Sequence, residues 1–208
     1  MLTIKHLNAM IDLADQVYEP AEDSYLLADT ALEFTKENMQ VLEIGTGSGF
    51  VSAVLKANRN IELVATEISP LAARCARSNG IDVIRTDMFA GLKSKQQFDI
   101  VIFNPPYLPT SKEEKVPGWL NYAFDGGING RKDIKPFMEQ VHAYLKPGGM
   151  ILLLVSSITG IEEVMQEMER HNFNSWIVAK EKCFFEELVV IIGKIQDSTS
   201  TIPVKQNI

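Results

Sequence analysis

Between residues 20 and 194, short apolar runs with strand character alternate with stretches whose apolar residues recur at helical spacing. A chain that repeats strand, helix, strand buries both by laying its strands side by side and folding the helices back over the sheet. The pattern therefore predicts an α/β fold around a mostly parallel sheet. Strands are expected at 41–44, 61–65, 83–85, 98–103, 150–155, 174–179 and 188–192, and helices at 51–57, 70–78, 134–145 and 161–171. A first helix starts near Pro20, which suits an early helical position, with Glu19, Glu22 and Asp23 placed to favour the positive helix end. Leu26, Leu27, Ala31 and Phe34 supply its apolar face. At 208 residues the chain can bury one core without staples. A single domain over 1–195 and a flexible, polar tail over 196–208 are expected.

Composition narrows the function classes. With 46% hydrophobic and 23% charged residues the chain is neither disordered nor low in complexity. Cys75 and Cys183 stand far apart and outside any metal-ligand spacing, so both are read as reduced thiols and no metal site is expected. The longest apolar run, at 150–155, is far short of a membrane span, and the chain is read as soluble and cytoplasmic. The net charge is −7, and eight acidic residues against two lysines fall in the first 40 positions. Such a field repels phosphate backbones and counts against nucleic acid as a partner.

The first strand runs into Val41-Leu-Glu-Ile-Gly-Thr-Gly-Ser-Gly49 and from there into a helix. Gly45, Gly47 and Gly49 allow a sharp turn and close approach of the backbone to a ligand. The spacing is GxGxG, not the GxGxxG of a dinucleotide loop, and no lysine follows to meet phosphates. Glu43 would repel a phosphate but suits a cationic aminoacyl group. The second strand ends in Glu67, where an acid can hold a ribose diol. The third leads to Asp87 and Met88, which could accept from an adenine amine and pack on its ring. Alone, each acid is an ordinary loop residue; at successive strand ends Glu43, Glu67 and Asp87 outline a pocket for an adenosine that carries an amino acid.

The fourth strand, Phe98-Asp-Ile-Val-Ile-Phe103, ends in Asn104-Pro105-Pro106-Tyr107. Two prolines stop ladder pairing and hold the preceding residue extended. The Asn104 side-chain carbonyl and the Pro105 main-chain carbonyl are then two acceptors able to bind both hydrogens of a planar NH₂ group, with Tyr107 as a flat wall. Residues 108–133 form a long connection with Pro109, Pro117 and four glycines, the kind of loop that usually borders a site.

Together these motifs resemble the class I S-adenosylmethionine-dependent methyltransferases that modify planar NH₂ nitrogens. Within them, Val17-Tyr-Glu-Pro-Ala-Glu-Asp-Ser-Tyr-Leu-Leu27 and Phe124-Asp-Gly-Gly-Ile-Asn-Gly-Arg131 are similar to the HemK-type protein glutamine methyltransferases, over residues 17–192. The resemblance implies a Rossmann-like sheet of seven strands with the last reversed, helices on both faces, and S-adenosyl-L-methionine as methyl donor. It implies a Gly-Gly-Gln glutamine of a class 1 release factor as substrate. Only about 20 residues precede the first helix, which matches the archaeal and eukaryotic branch and its small zinc-binding activator subunit, in a heterodimer. Ser24, Glu43, Gly45, Gly47, Glu67, Asp87, Met88 and Asn104 would bind the cofactor. Asn104, Pro105 and Tyr107 would be catalytic and, with Pro106, would hold the substrate. Gly126, Gly127 and Arg131 match their motif without a role read from it. Adenine N6, guanine N2 and protein lysine stay open as alternative acceptors. His6, His142 and His171 fall outside every motif. Leu2, Ile4, Leu7, Met10 and Ile11, with the edge-strand candidate at 83–84, are where an exposed surface for an activator is expected.

Overall fold

The computed structural model describes residues 2–93, 96–111 and 118–196. A hairpin of β1 (Leu2–His6) and β2 (Ala9–Leu13) comes first, then α1 (Glu22–Phe34). β3 (Gln40–Ile44), α2 (Phe50–Asn58), β4 (Glu62–Glu67), α3 (Pro70–Ser78) and β5 (Val83–Arg85) follow in alternation. The second half comprises β6 (Phe98–Phe103), the short α4 (Asn121–Phe124), α5 (Ile134–Val141), β7 (Leu145–Ser156), α6 (Ile161–Arg170), β8 (Phe173–Lys182) and β9 (Glu187–Ile195).

Among the described residues the main sheet has seven strands in the order β5-β4-β3-β6-β7-β9-β8, and β9 alone runs against the rest. Its central strands are mostly apolar because both faces are covered. Ile100 and Ile102 of β6 join the core under α1, α2 and α3, while Val101 and Phe103 join the core under α5 and α6. β7 divides the same way, Leu152 and Leu154 to one side and Leu153 and Val155 to the other. α3 starts where the Ser69 hydroxyl accepts from the amides of Leu71 and Ala72, with Pro70 in the first turn. This is the mostly parallel sheet that the alternation predicts, with the seven strands and the reversed last strand that the family resemblance implies.

Three details differ from expectation. Helix α1 begins at Glu22, with Pro20 just outside it. The helix expected to reach residue 145 ends at Val141, because the Tyr144 carbonyl accepts from the amides of Gln97 and Phe98 and draws Leu145 into register with Phe98. Residues 2–13 form a two-stranded hairpin not foreseen in the sequence. It turns at Leu7 and Asn8, and Asn79 clamps it to α3 by exchanging hydrogen bonds with the Asp12 main chain at 3.0 Å. Ile11 is buried there, whereas Leu2, Leu7 and Met10 are exposed. β5 does lie at the sheet edge with Ile84 partly exposed, and both thiols are free. No helix among the described residues is long and apolar enough to cross a membrane. Pro117 and the expected tail beyond residue 196 lie outside the described residues.

β4 and β5 extend the sheet from β3 to one side and β6 begins the other, so the chain order reverses between β3 and β6. In an open α/β sheet the loops beyond the carboxyl ends of the strands part at such a point and leave a crevice.

Candidate active site

A cavity of about 300 Å³ occupies that crevice. All eleven residues singled out as site candidates line it: Ser24 from α1, Glu43, Gly45 and Gly47 at the end of β3, Glu67 at the end of β4, Asp87 and Met88 after β5, and Asn104, Pro105, Pro106 and Tyr107 after β6. Gly126, Gly127, Arg131 and the three histidines do not line it.

The loop after β3 is held by its neighbours. Gly49 caps α2 with φ +84°, and a Cβ there would meet the Ile81 side chain at 2.9 Å and Ala76 at 3.1 Å, so this position needs glycine to seat α2 against α3. Glu67 ties two loops together: one carboxylate oxygen accepts from the Gly47 amide and the other from the Ser69 amide, both at 2.8 Å. Burial raises its carboxyl above the ordinary range against the pull of these amides.

Glu43 is buried at the cavity floor. Its Oε2 accepts from the Thr46 hydroxyl at 2.6 Å, from the Ser52 amide at 3.1 Å, and from the Ser52 hydroxyl. Burial nonetheless pushes its carboxyl up to about 7, with the negative Glu67 adding to the effect. Asp87 is exposed, and Met88 beside it takes a left-handed conformation with φ +41°.

At the other end of the cavity, Asp23 organises Asn104. Asp23 Oδ1 accepts from the Tyr18 hydroxyl at 3.0 Å, the Ser24 amide at 2.6 Å and the Ser24 hydroxyl at 3.1 Å. Its Oδ2 accepts from Asn104 Nδ2 at 2.9 Å. A carboxylate oxygen that receives this bond is the acceptor, so the Asn104 group that faces it is the NH₂. The Asn104 carbonyl must then point the other way. Oδ1 is buried and has no hydrogen-bond partner among the described residues. Such an atom costs about 1–3 kcal/mol unless a donor reaches it. Pro105 beside it is buried and brings no N–H to compete. Burial and the charge of Asp23 raise the hydroxyls of both Tyr18 and Tyr107 well above the usual range, so both stay neutral.

Residues 119–124 of the long connection return over the cavity. Trp119, Leu120, Tyr122, Ala123 and Phe124 line the cavity, with Phe124 edge-on to Tyr18 at 5.5 Å and the Arg85 guanidinium 5.9 Å from the Trp119 ring centre. Residues 125–131 brace the Asn-Pro-Pro-Tyr backbone from behind. The Gly126 amide donates to the Leu108 carbonyl at 3.0 Å, and a Cβ on Gly130 would lie 2.4 Å from the Tyr107 carbonyl oxygen. Arg131 Nη1 donates to the Thr159 carbonyl and joins this loop to the one after β7.

Residues 35–201 match the family model of a methyltransferase domain. A Methanocaldococcus jannaschii protein described as a protein N5-glutamine methyltransferase is 40% identical over 187 residues, which cover 87% of this chain and 93% of that one. The chain belongs to the HemK-type protein glutamine methyltransferases. Mouse Methyltransferase HEMK2 is 36% identical over 167 residues, or 74% of this chain and 78% of the relative. Among solved structures, the E. cuniculi Mtq2–Trm112 complex, responsible for methylation of the eRF1 translation termination factor, matches with a TM-score of 0.71 at 28% identity. That match covers 87% of this chain and 99% of the other.

In this HemK-type chain, sequence reasoning passed over Asp23, Tyr18, Ser52 and the aromatic residues at 119–124. Asp23 was legible only as an acid that favours a helix start. Its neighbour Ser24 was singled out, but the bond to Asn104 spans 81 residues, a separation that no local pattern reveals. Ser52 sits nine residues after the Glu43 it serves, hidden inside an ordinary helix.

Proposed function

We propose that this chain is the S-adenosylmethionine-dependent enzyme that methylates the side-chain amide of the glutamine in the Gly-Gly-Gln motif of a class 1 release factor. The observation that carries the reading is the buried Asn104 carbonyl, fixed by Asp23 and left without a donor. An amide NH₂ supplies that donor. Tyr107 and Pro106 form the walls of a slot for a planar group.

The cavity suits the cofactor. Ser24, Glu43, Gly45, Gly47, Glu67, Asp87 and Met88 would hold it, with a buried acid for the aminoacyl end, an acid at the end of β4 for the ribose and an exposed acid beside a methionine for the base. When bound, the cofactor supplies an electrophilic methyl group on a sulfonium sulfur. An amide nitrogen is a weak nucleophile because its lone pair is delocalised, so the task of the chain is positioning, worth about 7 kcal/mol or more at best. The Asn104 and Pro105 carbonyls orient the two N–H bonds and stabilise the positive charge that grows on nitrogen. The alkylated amide gives its extra proton to solvent, and no base on this chain is required.

The relatives support the choice of acceptor, as does a net charge of −7, which disfavours a nucleic-acid base amine presenting the same pair of hydrogens. A partner subunit belongs to the same proposal, supported by likeness to the Mtq2–Trm112 complex; that it is a small zinc-binding activator is what the family resemblance implies. The test is transfer of labelled methyl to a class 1 release factor with the activator present. Label that vanishes when the Gly-Gly-Gln glutamine is replaced is the expected result. Label that persists, or no label although the cofactor binds, would overturn the substrate.

A further inference from the structure

β8 and β9 are joined by a tight turn, Cys183–Glu186, closed by the Cys183 amide donating to the Glu186 carbonyl at 2.8 Å. Its two central residues are Phe184 and Phe185, 92% and 86% exposed and edge-on to each other at 4.6 Å. Turn centres ordinarily carry Gly, Asn, Asp or Ser, and two bare aromatic rings there contribute nothing to the core.

The turn is stitched to the cavity mouth. The Ser157 amide donates to the Glu187 carbonyl at 2.8 Å, and the Ser156 hydroxyl donates to the Glu186 carboxylate. From the same loop the Thr159 hydroxyl reaches the Tyr107 carbonyl at 3.5 Å, and Arg131 links it to the 125–131 loop. Three adjoining segments therefore surround the wall formed by Tyr107, and each projects an apolar side chain into solvent: Phe184 and Phe185, Ile158 at 43% exposure, and Ile128 at 94%. Leu108 and Tyr122, which line the cavity, are exposed as well.

We propose that this apolar rim is the docking surface for the polypeptide on either side of the methylated glutamine, with Phe184 and Phe185 as its anchors. The inference rests on the proposed function. A glutamine reaching Asn104 is tethered to a protein chain, and that chain must leave the slot over the rim around Tyr107. Exposed aromatic anchors beside a pocket are the usual carriers of binding energy at such surfaces. The rim acts on binding of the protein substrate and not on the reacting atoms.

The test compares wild type with the double variant Phe184→Ser and Phe185→Ser, and separately with Ile128→Ser, in the presence of the activator subunit and an intact class 1 release factor. Serine suits the turn and neither ring is buried, so the melting temperature and the affinity for the cofactor stay unchanged. The expected result is a rise of about tenfold or more in KM for the release factor with kcat within twofold for the double variant, and a smaller rise for Ile128→Ser. An unchanged KM overturns the proposal while leaving the proposed function intact. So does a kcat that falls with KM constant, or loss of self-association as the sole effect. A wild-type enzyme that labels no release factor removes the function and this docking surface together.

Discussion

Replacing Asp23 by Asn keeps the volume of the side chain and removes one thing, the ability to accept at both ends. Asp23 accepts from Tyr18, twice from Ser24 and from Asn104. An amide presents one oxygen, and with three donors on the Oδ1 side that oxygen stays there. The NH₂ of the new Asn then faces the NH₂ of Asn104, and Asn104 relieves the clash by turning its amide over. Its carbonyl now points at residue 23, and a donor points where the substrate NH₂ must bind. A hydrogen bond to a charged group contributes about 1.5–3 kcal/mol to stability, which sets the expected loss in urea unfolding. Removing one preorganised polar group from a reacting centre costs about 10²–10³ in kcat, or about 3–4 kcal/mol. Steady-state assays on the release factor should therefore show kcat reduced by that factor, with cofactor affinity within about threefold because the donor-side residues are untouched. Tyr18→Phe is the companion, since it deletes a bond to Oδ1 and leaves the Oδ2 bond to Asn104. Its loss should stay within about tenfold. A folded Asp23→Asn enzyme with kcat within threefold of wild type would refute the positioning argument, as would a Tyr18→Phe enzyme equally impaired.

Three further outcomes follow. Asn104→Ala should lower methyl transfer by at least about 10³-fold while cofactor binding, read by calorimetry, survives largely intact; equal loss of both would assign Asn104 to the donor side. Because the folded-state carboxyl of Glu43 is raised to about 7 from 4.5, the unfolded chain loses this proton first, and stability falls as pH rises between those values, by on the order of 3 kcal/mol in all. Urea unfolding at pH 5 and pH 8 measures that slope, and Glu43→Gln should remove it except for the part due to Glu67. Gly130→Ala should destabilise the fold and lower kcat, because its Cβ would strike the Tyr107 carbonyl oxygen at 2.4 Å; Gly80→Ala, equally left-handed at φ +78° but with open space around it, should cost only about 1–2 kcal/mol and leave activity alone.

The mostly parallel sheet was legible because buried central strands are mostly apolar and the intervening helices are amphipathic, whereas its reversed last strand followed only from the family resemblance. The opening hairpin was not, although Thr3 and Lys5 do alternate with Leu2 and Ile4. Its turn places Leu7 at φ +49° with no glycine to announce it, and Asn79, which ties it to α3, lies far along the chain. The end of α5 is hidden for a related reason: Leu145 continues the helical spacing, but the sheet claims it through Phe98. For the cavity, loops after strands pointed to Glu43, Glu67 and Asn104, since a strand end fixes where a residue sits without knowledge of its neighbours. Asp23 and Ser52 needed the partners themselves, and a carboxylate beside a helix start reads the same whether it caps the helix or holds an amide 81 residues away.

The reversal of strand order between β3 and β6 divides the crevice by position along the chain. On the proposed reading, the groups that face the methyl donor come chiefly from residues 43–88, and those that face the acceptor lie from Asn104 onward, with α1 lending Asp23 and Ser24 to the seam. Substitutions in the later stretch can redraw what is methylated while the earlier one is left alone. A scaffold partitioned in this way can change its clientele without relearning its chemistry, and exchanging the loops after β6 between relatives is a direct route to enzymes with new acceptors.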